Sequence, residues 1–213
     1  MLKNAIQNLK AIRRNYSRER SPERTQKVID VLGKRQPDIT VVLENVHDPH
    51  NVMAVLRTCD SVGIYEVHVI DNLPRKWDPR IGKNSSSGAK KWVPMHKYDT
   101  VDECYSVLKN EGKRILTTHM DESSKDLFEL DLTEPIALVF GNEHSGVSDE
   151  AVAKGDGNFI IPQVGMIQSL NISVACAVTL YEAFRQKTEQ GHYGQSRFEA
   201  TKFKELKENW LKL

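Results

Sequence analysis

Three short segments concentrate side chains able to hold or orient a ligand. Residues 45–51 run Asn-Val-His-Asp-Pro-His-Asn, residues 141–146 run Gly-Asn-Glu-His-Ser-Gly, and residues 162–171 run Pro-Gln-Val-Gly-Met-Ile-Gln-Ser-Leu-Asn. Each follows an apolar run suited to a β-strand. Ligands in open α/β sheets bind at the carboxyl ends of strands, so the three loops are expected to converge on one site. Ser169 and Asn171 stand at the entrance of an apolar helix. Free backbone N–H groups and the positive dipole end suit an anion or a polar ligand group there. Plain capping, with Ser169 as N-cap, accounts for the same residues equally well. His47 and His50 have a spacing a metal tolerates, but no acidic or cysteine partner completes the set, so no metal is expected. There is no GxGxxG and no phosphate-loop motif, which disfavours a nucleotide dehydrogenase or a P-loop enzyme.

The elements that must position these loops are legible as periodicity and punctuation. Ile39–Glu44 is a β-rich apolar run with the look of a buried parallel strand. Asp48-Pro49 starts a helix that Gly63 ends, and residues 66–70 form the next strand, which makes a βαβ unit. Residues 71–91 are a long polar connection. Further strands are expected at 92–95, 114–118, 136–140 and 159–161, and helices at 101–110 and from Ser148. Residues 170–181 form a helix that is apolar nearly all round and should therefore be buried on every side. At the ends, residues 1–20 look like a basic helix, Ser21-Pro22-Glu23 starts a second that stops near Gly33, and residues 197–213 form a final amphipathic helix.

Composition bounds the class. The chain has 213 residues, 39% hydrophobic and 28% charged, enough for one α/β core with appendages. No apolar run spans a membrane, and the start lacks a signal-peptide core, so no membrane partner is expected. Cys59, Cys104 and Cys176 are odd in number and widely spaced, which points to a reducing cytoplasm. The net charge of +1 is unevenly placed. Residues 1–35 hold ten Lys/Arg against three Asp/Glu, and residues 183–213 hold seven against four, around an acidic middle. Basic ends suggest contact with a polyanion, although solvated helix faces explain the C-terminal excess as readily.

Together the loops carry a resemblance. Asn45…Asn51-x5-Arg57-x5-Gly63, Phe140-Gly141-Asn142-Glu143-His144-Ser145-Gly146, and Ile161-Pro162-x2-Gly165-x3-Ser169-Leu170-Asn171-Ile172-Ser173-Val174-Ala175 resemble, in order, the three motifs of the SPOUT class of RNA methyltransferases. Within that class the chain is similar to the TrmH family of tRNA guanosine 2′-O-methyltransferases. One departure is Gln163, where that family often has methionine. The resemblance implies an α/β fold with a parallel sheet and a C-terminal deep trefoil knot, flanked by N- and C-terminal helices. It implies a basic helical extension over 1–38, a methyltransferase core with the knot over 39–186, and a C-terminal helical extension over 187–213.

It also implies S-adenosylmethionine as cofactor, tRNA as partner, and a homodimer. Carried over by position, the catalytic set is Arg57, Asn51, Glu143, Ser169 and Asn171. Asn51 is expected to orient Arg57 or the cofactor loop. The cofactor pocket is Gly141, Glu143, Ile161, Met166, Ser169 and Leu170. RNA is expected to meet Arg13, Arg14, Arg18, Arg20, Lys90, Lys202 and Lys207, and Ser86, Ser87 and Gly88 form a candidate lid. The expected activity is methylation of the ribose 2′-hydroxyl of the D-loop guanosine, tRNA position eighteen. The alternatives are ribosomal RNA or the wobble base as substrate, and a non-catalytic RNA-binding protein with the same fold.

Overall fold

The computed structural model describes residues 21–72 and 88–213. The expected first helix with Arg13, Arg14, Arg18 and Arg20, and Ser86 and Ser87 of the expected lid, lie outside the described residues. The chain divides into two compact units. One runs from Gln36 to His192, and the other joins the segment up to Arg35 with Tyr193–Leu213.

The unit from Gln36 to His192 is built on a seven-stranded sheet whose pairings are all parallel. Its strands are β1 (Ile39–Glu44), β2 (Val67–Ile70), β3 (Met95–Tyr98), β4 (Arg114–Thr118), β5 (Lys125–Asp126), β6 (Ile136–Phe140) and β7 (Gly157–Ile160). The order is β3-β2-β1-β6-β4-β7-β5, so the winding reverses between β1 and β6. Every residue of β1 and β6 is buried, as a central strand covered on both faces requires. Val41 and Leu43 point to a core shared with α2 (Pro49–Val62) and α5 (Ile172–Glu189), whereas Val42 points to α3 (Val101–Asn110) and α4 (Asp149–Lys154). Pro49 occupies the first turn of α2, the Asp48 carboxylate accepts from His50 N at 2.8 Å, and Gly63 closes the helix at φ 83°. At the amino-terminal edge of the sheet, the buried Lys187 ammonium on α5 meets Asp38 Oδ2 and Thr133 O, each at 3.0 Å.

Three sequence expectations need correction here, and one strand is unforeseen. The strand expected at 92–95 lies at Met95–Tyr98 instead. Pro94 has no N–H to give a ladder, and β3 begins after it at Met95. The apolar helix starts at Ile172, not Leu170, because Asn171 rather than Ser169 is its N-cap; Asn171 Oδ1 accepts from Ser173 N at 2.9 Å. Nor is α5 buried all round. Its Ile172, Cys176, Leu180 and Ala183 face the sheet and α2, while Val174 and Tyr181 are about half exposed. The two-residue β5 carries no apolar pattern and escaped notice.

In the other unit, α1 (Pro22–Leu32) packs against α6 (Ala200–Trp210). Ser21 caps α1 as expected, and the Arg35 guanidinium lies 5.2 Å from the Trp210 ring centre, a cation–π arrangement. The final helix is shorter than the expected 197–213.

One buried group makes stability depend on pH. His68 on β2 is buried, with Nδ1 3.0 Å from the Tyr98 hydroxyl and its ring 5.4 Å from that of His96. Burial first, and the neighbouring His96 second, push its pKa down to about 4. The unfolded chain binds this proton below pH ~6.5 and the folded one only near pH 4. Stability is therefore full above pH ~6.5 and falls between those values, by at most about 3 kcal/mol. Urea unfolding at pH 7 and pH 4.5 checks this, and His68→Phe should flatten the difference.

Candidate active site

The strand-order reversal puts a crevice at the carboxyl ends of β1 and β6, the usual place for a ligand in such a sheet. A cavity of about 430 Å³ opens beside it, at the carboxyl ends of β6, β4 and β7. Its walls come from the loops after β6, β7 and β4 and from the start of α5, including Gly141, Glu143, Ile161, Ser169 and Leu170. Five of the six expected pocket residues thus line it. Met166 does not; it is fully exposed, as is its neighbour Val164.

Gly141 shows why the wall is bare backbone. A Cβ there would lie 2.1 Å from Gly146 C and O, so no side chain fits. The loop folds back on itself through Asn142 N to Gly146 O at 3.0 Å and Gly146 N to Asn142 O at 2.8 Å. Gly146 takes φ 70° at the closing corner, a conformation that favours glycine.

Beside the cavity, a hydrogen-bond chain joins three segments. Asn51, in the first turn of α2, donates from Nδ2 to Glu143 Oε1 at 2.5 Å, and its Oδ1 accepts from Asn171 Nδ2 at 3.2 Å. Asn171 Oδ1 in turn accepts from the Ser173 hydroxyl at 2.6 Å. A carboxylate only accepts, so Glu143 dictates which way each amide must face. Asn51, expected to orient Arg57 or the cofactor loop, bonds Glu143 and Asn171 and not Arg57. Arg57 sits further along α2, exposed, and its side chain pairs with no described residue.

The sequence reasoning missed the fourth wall. Thr118 at the end of β4, with His119 and Met120 after it, lines the cavity. Their loop is tied down by Asp121, which accepts from the Ser123 hydroxyl at 2.7 Å and from Asn158 Nδ2 at 2.6 Å. The Ser123 hydroxyl leads the contacts that hold the Asp121 carboxyl below its usual range. This loop contains no glycine and so lacks the polar-plus-glycine signature of the other loops. His144 also lines the cavity. Lys90 is exposed on a short 3₁₀ turn after Gly88, away from the cavity wall, and Lys202 and Lys207 are on α6 in the other unit. Among the described residues no group of three or more His, Cys, Asp or Glu could hold a metal. No described helix is long and apolar enough to cross a membrane.

A parallel sheet with this reversal and a bare-backbone pocket at its carboxyl edge fits the SPOUT fold, which its structural neighbours share. Residues 38–181 match the SpoU rRNA Methylase family, and the chain belongs to that family. It is 43% identical over 195 residues to a tRNA (guanosine(18)-2'-O)-methyltransferase of Thermus thermophilus, a match covering 92% of this chain and 99% of the relative. The TrmH/SpoU tRNA modifying enzyme of Aquifex aeolicus superposes with a TM-score of 0.79 at 36% identity, covering 89% of this chain and 95% of that one. The SpoU methyltransferase AviRb of Streptomyces viridochromogenes, solved in complex with AdoMet, superposes with a TM-score of 0.64 at 25% identity, covering 74% of this chain and 62% of that one.

Proposed function

We propose that this chain transfers the methyl group of S-adenosylmethionine to the ribose 2′-hydroxyl of guanosine 18 in the D-loop of tRNA. The chain Asn171–Asn51–Glu143 carries the reading, because it assembles residues from three loops beside one cavity. Near full-length similarity to a relative named for that activity supports the substrate.

The cavity suits the cofactor. Its volume falls in the usual range for small-molecule sites, ~300–1,000 Å³. Ile161 and Leu170 offer apolar surface to a nucleoside, and Gly141 lets backbone come close. Bound there, the cofactor supplies a methyl already activated by its sulfonium. The chain must then align the hydroxyl oxygen for in-line displacement and let its proton leave. Arg57 offers a planar cationic fork, so its work is to clamp an RNA phosphate. Glu143, held by Asn51, orients the groups around cofactor and ribose. Ser169 and Asn171 steady the same region from the far loop.

Solvent-facing Val164, Met166, Ile167, Val174 and Tyr181 support a homodimer built over α5 and the loop before it. We place the C-terminal trefoil knot in the same segment, and the protein in the cytoplasm, where its three buried thiols stay reduced. The test is nucleoside mapping of tRNA incubated with protein and labelled cofactor. Label in 2′-O-methylguanosine at position eighteen is expected; label only in ribosomal RNA, or none, overturns the reading.

The basic ends would carry the tRNA, through Arg13, Arg14, Arg18 and Arg20 with help from Lys90, Lys202 and Lys207. Phosphate contacts release counterions, so their number sets the salt dependence of binding. Reversing the charge of Arg13 and Arg14 is expected to weaken tRNA binding and lower the log–log salt slope by about two. Cofactor binding should not change. An unaltered slope in a filter-binding series would return that segment to a structural role.

A further inference from the structure

We infer that Glu44 and Asn45, which do not line the cavity, are positioning residues that set the placement of Glu143. The inference rests on the function proposed above.

Glu143 sits in the loop that leaves β6 and enters α4. The last residue of β1 and the one after it grip both ends of that loop. At the far end, the buried Glu44 carboxylate accepts from Ser148 N at 2.8 Å and from the Ser148 hydroxyl at 2.5 Å. At the near end, the Asn45 carbonyl accepts from Asn142 Nδ2 at 2.9 Å. Asn142 then organises the turn itself, with Oδ1 accepting from His144 N at 2.8 Å. Glu143 thus lies between two residues that are both anchored to β1.

Asn45 can reach Asn142 because of its backbone. It is the one described non-glycine residue with positive φ, at 54°. Asparagine tolerates that region better than most side chains, and glycine tolerates it without strain. The side chain also braces the bend. Nδ2 donates to Asn72 Oδ1 at 2.8 Å, and Oδ1 accepts from Asn72 N at 3.2 Å, so the end of β2 supports the turn. From this turn the chain passes within six residues to Asn51, the partner of Glu143. One braced bend therefore sets both members of the Asn51–Glu143 pair.

This design separates two roles in one residue. Asn45→Gly keeps the left-handed backbone and removes the brace. The fold should survive, because five residue pairs of β1 with β6 and the cores on both faces do not depend on it. A misplacement of Glu143 by about 1 Å is enough to cost on the order of 100-fold in rate. For Asn45→Gly we expect a near-wild-type melting temperature and a kcat lower by roughly 10- to 100-fold, with the KM for tRNA little changed. Amides of residues 142–146 should exchange hydrogen faster, while those of β6 stay protected. Asn45→Gly combined with Glu143→Gln should be no slower than Glu143→Gln alone, since both act through one carboxylate.

A kcat within about twofold of wild type, or a double variant slowed by the product of the two single effects, overturns the inference. If Asn45→Gly fails to fold, Asn72→Ala at an exposed position carries the test. Wild-type rate and loop protection in that variant overturn it equally. If the wild-type protein methylates no tRNA, the proposed function fails, and the exchange measurement still decides whether Asn45 holds the loop.

Discussion

Replacing Gly141 with valine is expected to abolish binding of S-adenosylhomocysteine and, with it, methyl transfer. The Cβ alone would lie 2.1 Å from the Gly146 carbonyl and 2.2 Å from Val147 N. Those contacts are backbone, so no side chain can swing away; the loop must open. Opening breaks the paired bonds between Asn142 and Gly146 and removes the wall that carries Glu143. For the wild-type protein, ligand at about one hundred times its dissociation constant adds ~2.7 kcal/mol of stability. That corresponds to a rise of roughly 5–10 °C in melting temperature for a domain of this size. The Gly141→Val variant should show no rise in a thermal-shift measurement. Gly165 is the control: nothing lies within 4 Å of a Cβ there, and its φ is not in the left-handed region, so Gly165→Ala should bind normally. A full ligand-induced shift in Gly141→Val would place the pocket elsewhere.

Arg57→Ala is expected to cost at least about 100-fold in kcat, as the loss of a clamp that positions the reacting hydroxyl can. Folding and cofactor binding should be untouched. Arg57 is exposed, makes no bond to a described residue and does not line the cavity, so its removal leaves no orphaned partner. Arg57→Lys separates two demands. A rate near wild type would mean a point charge suffices, and a rate near that of alanine would mean the planar fork is needed. Single-turnover kinetics with saturating cofactor make the comparison. Near-normal turnover in Arg57→Ala would remove this residue from the chemistry.

Much of this was legible in the chain because the signals were local. β1, β4 and β6 carry apolar runs with clear borders, and Asp48-Pro49 and Gly63 bracket α2 as their chemistry requires. The convergence of three loops followed from the rule for open parallel sheets. What was not legible depended on partners far away in sequence. Asn171 outcompetes Ser169 as a cap through geometry that neighbouring residues do not reveal. Asn51 turns to Glu143, 92 positions away, a pairing that local spacing does not reveal. The loop after β4 joins the site only because β4 lies between β6 and β7, and strand order is not written in periodicity.

The pairing of β1 with β6 has a consequence for how this chain is made. Ile39 lies beside Ile136, about 97 positions later. At ~5–20 residues per second, β1 leaves the ribosome roughly 5 to 20 s before its central neighbour exists. During that interval it can pair with β2, but its other edge and much of its apolar surface have no cover. Parallel pairing across such a separation also carries a large loop-closure cost, which slows folding once synthesis is complete. A nascent chain halted between β2 and β6 is therefore an aggregation-prone species that a holding chaperone should recognise, whereas one released after β7 should not be.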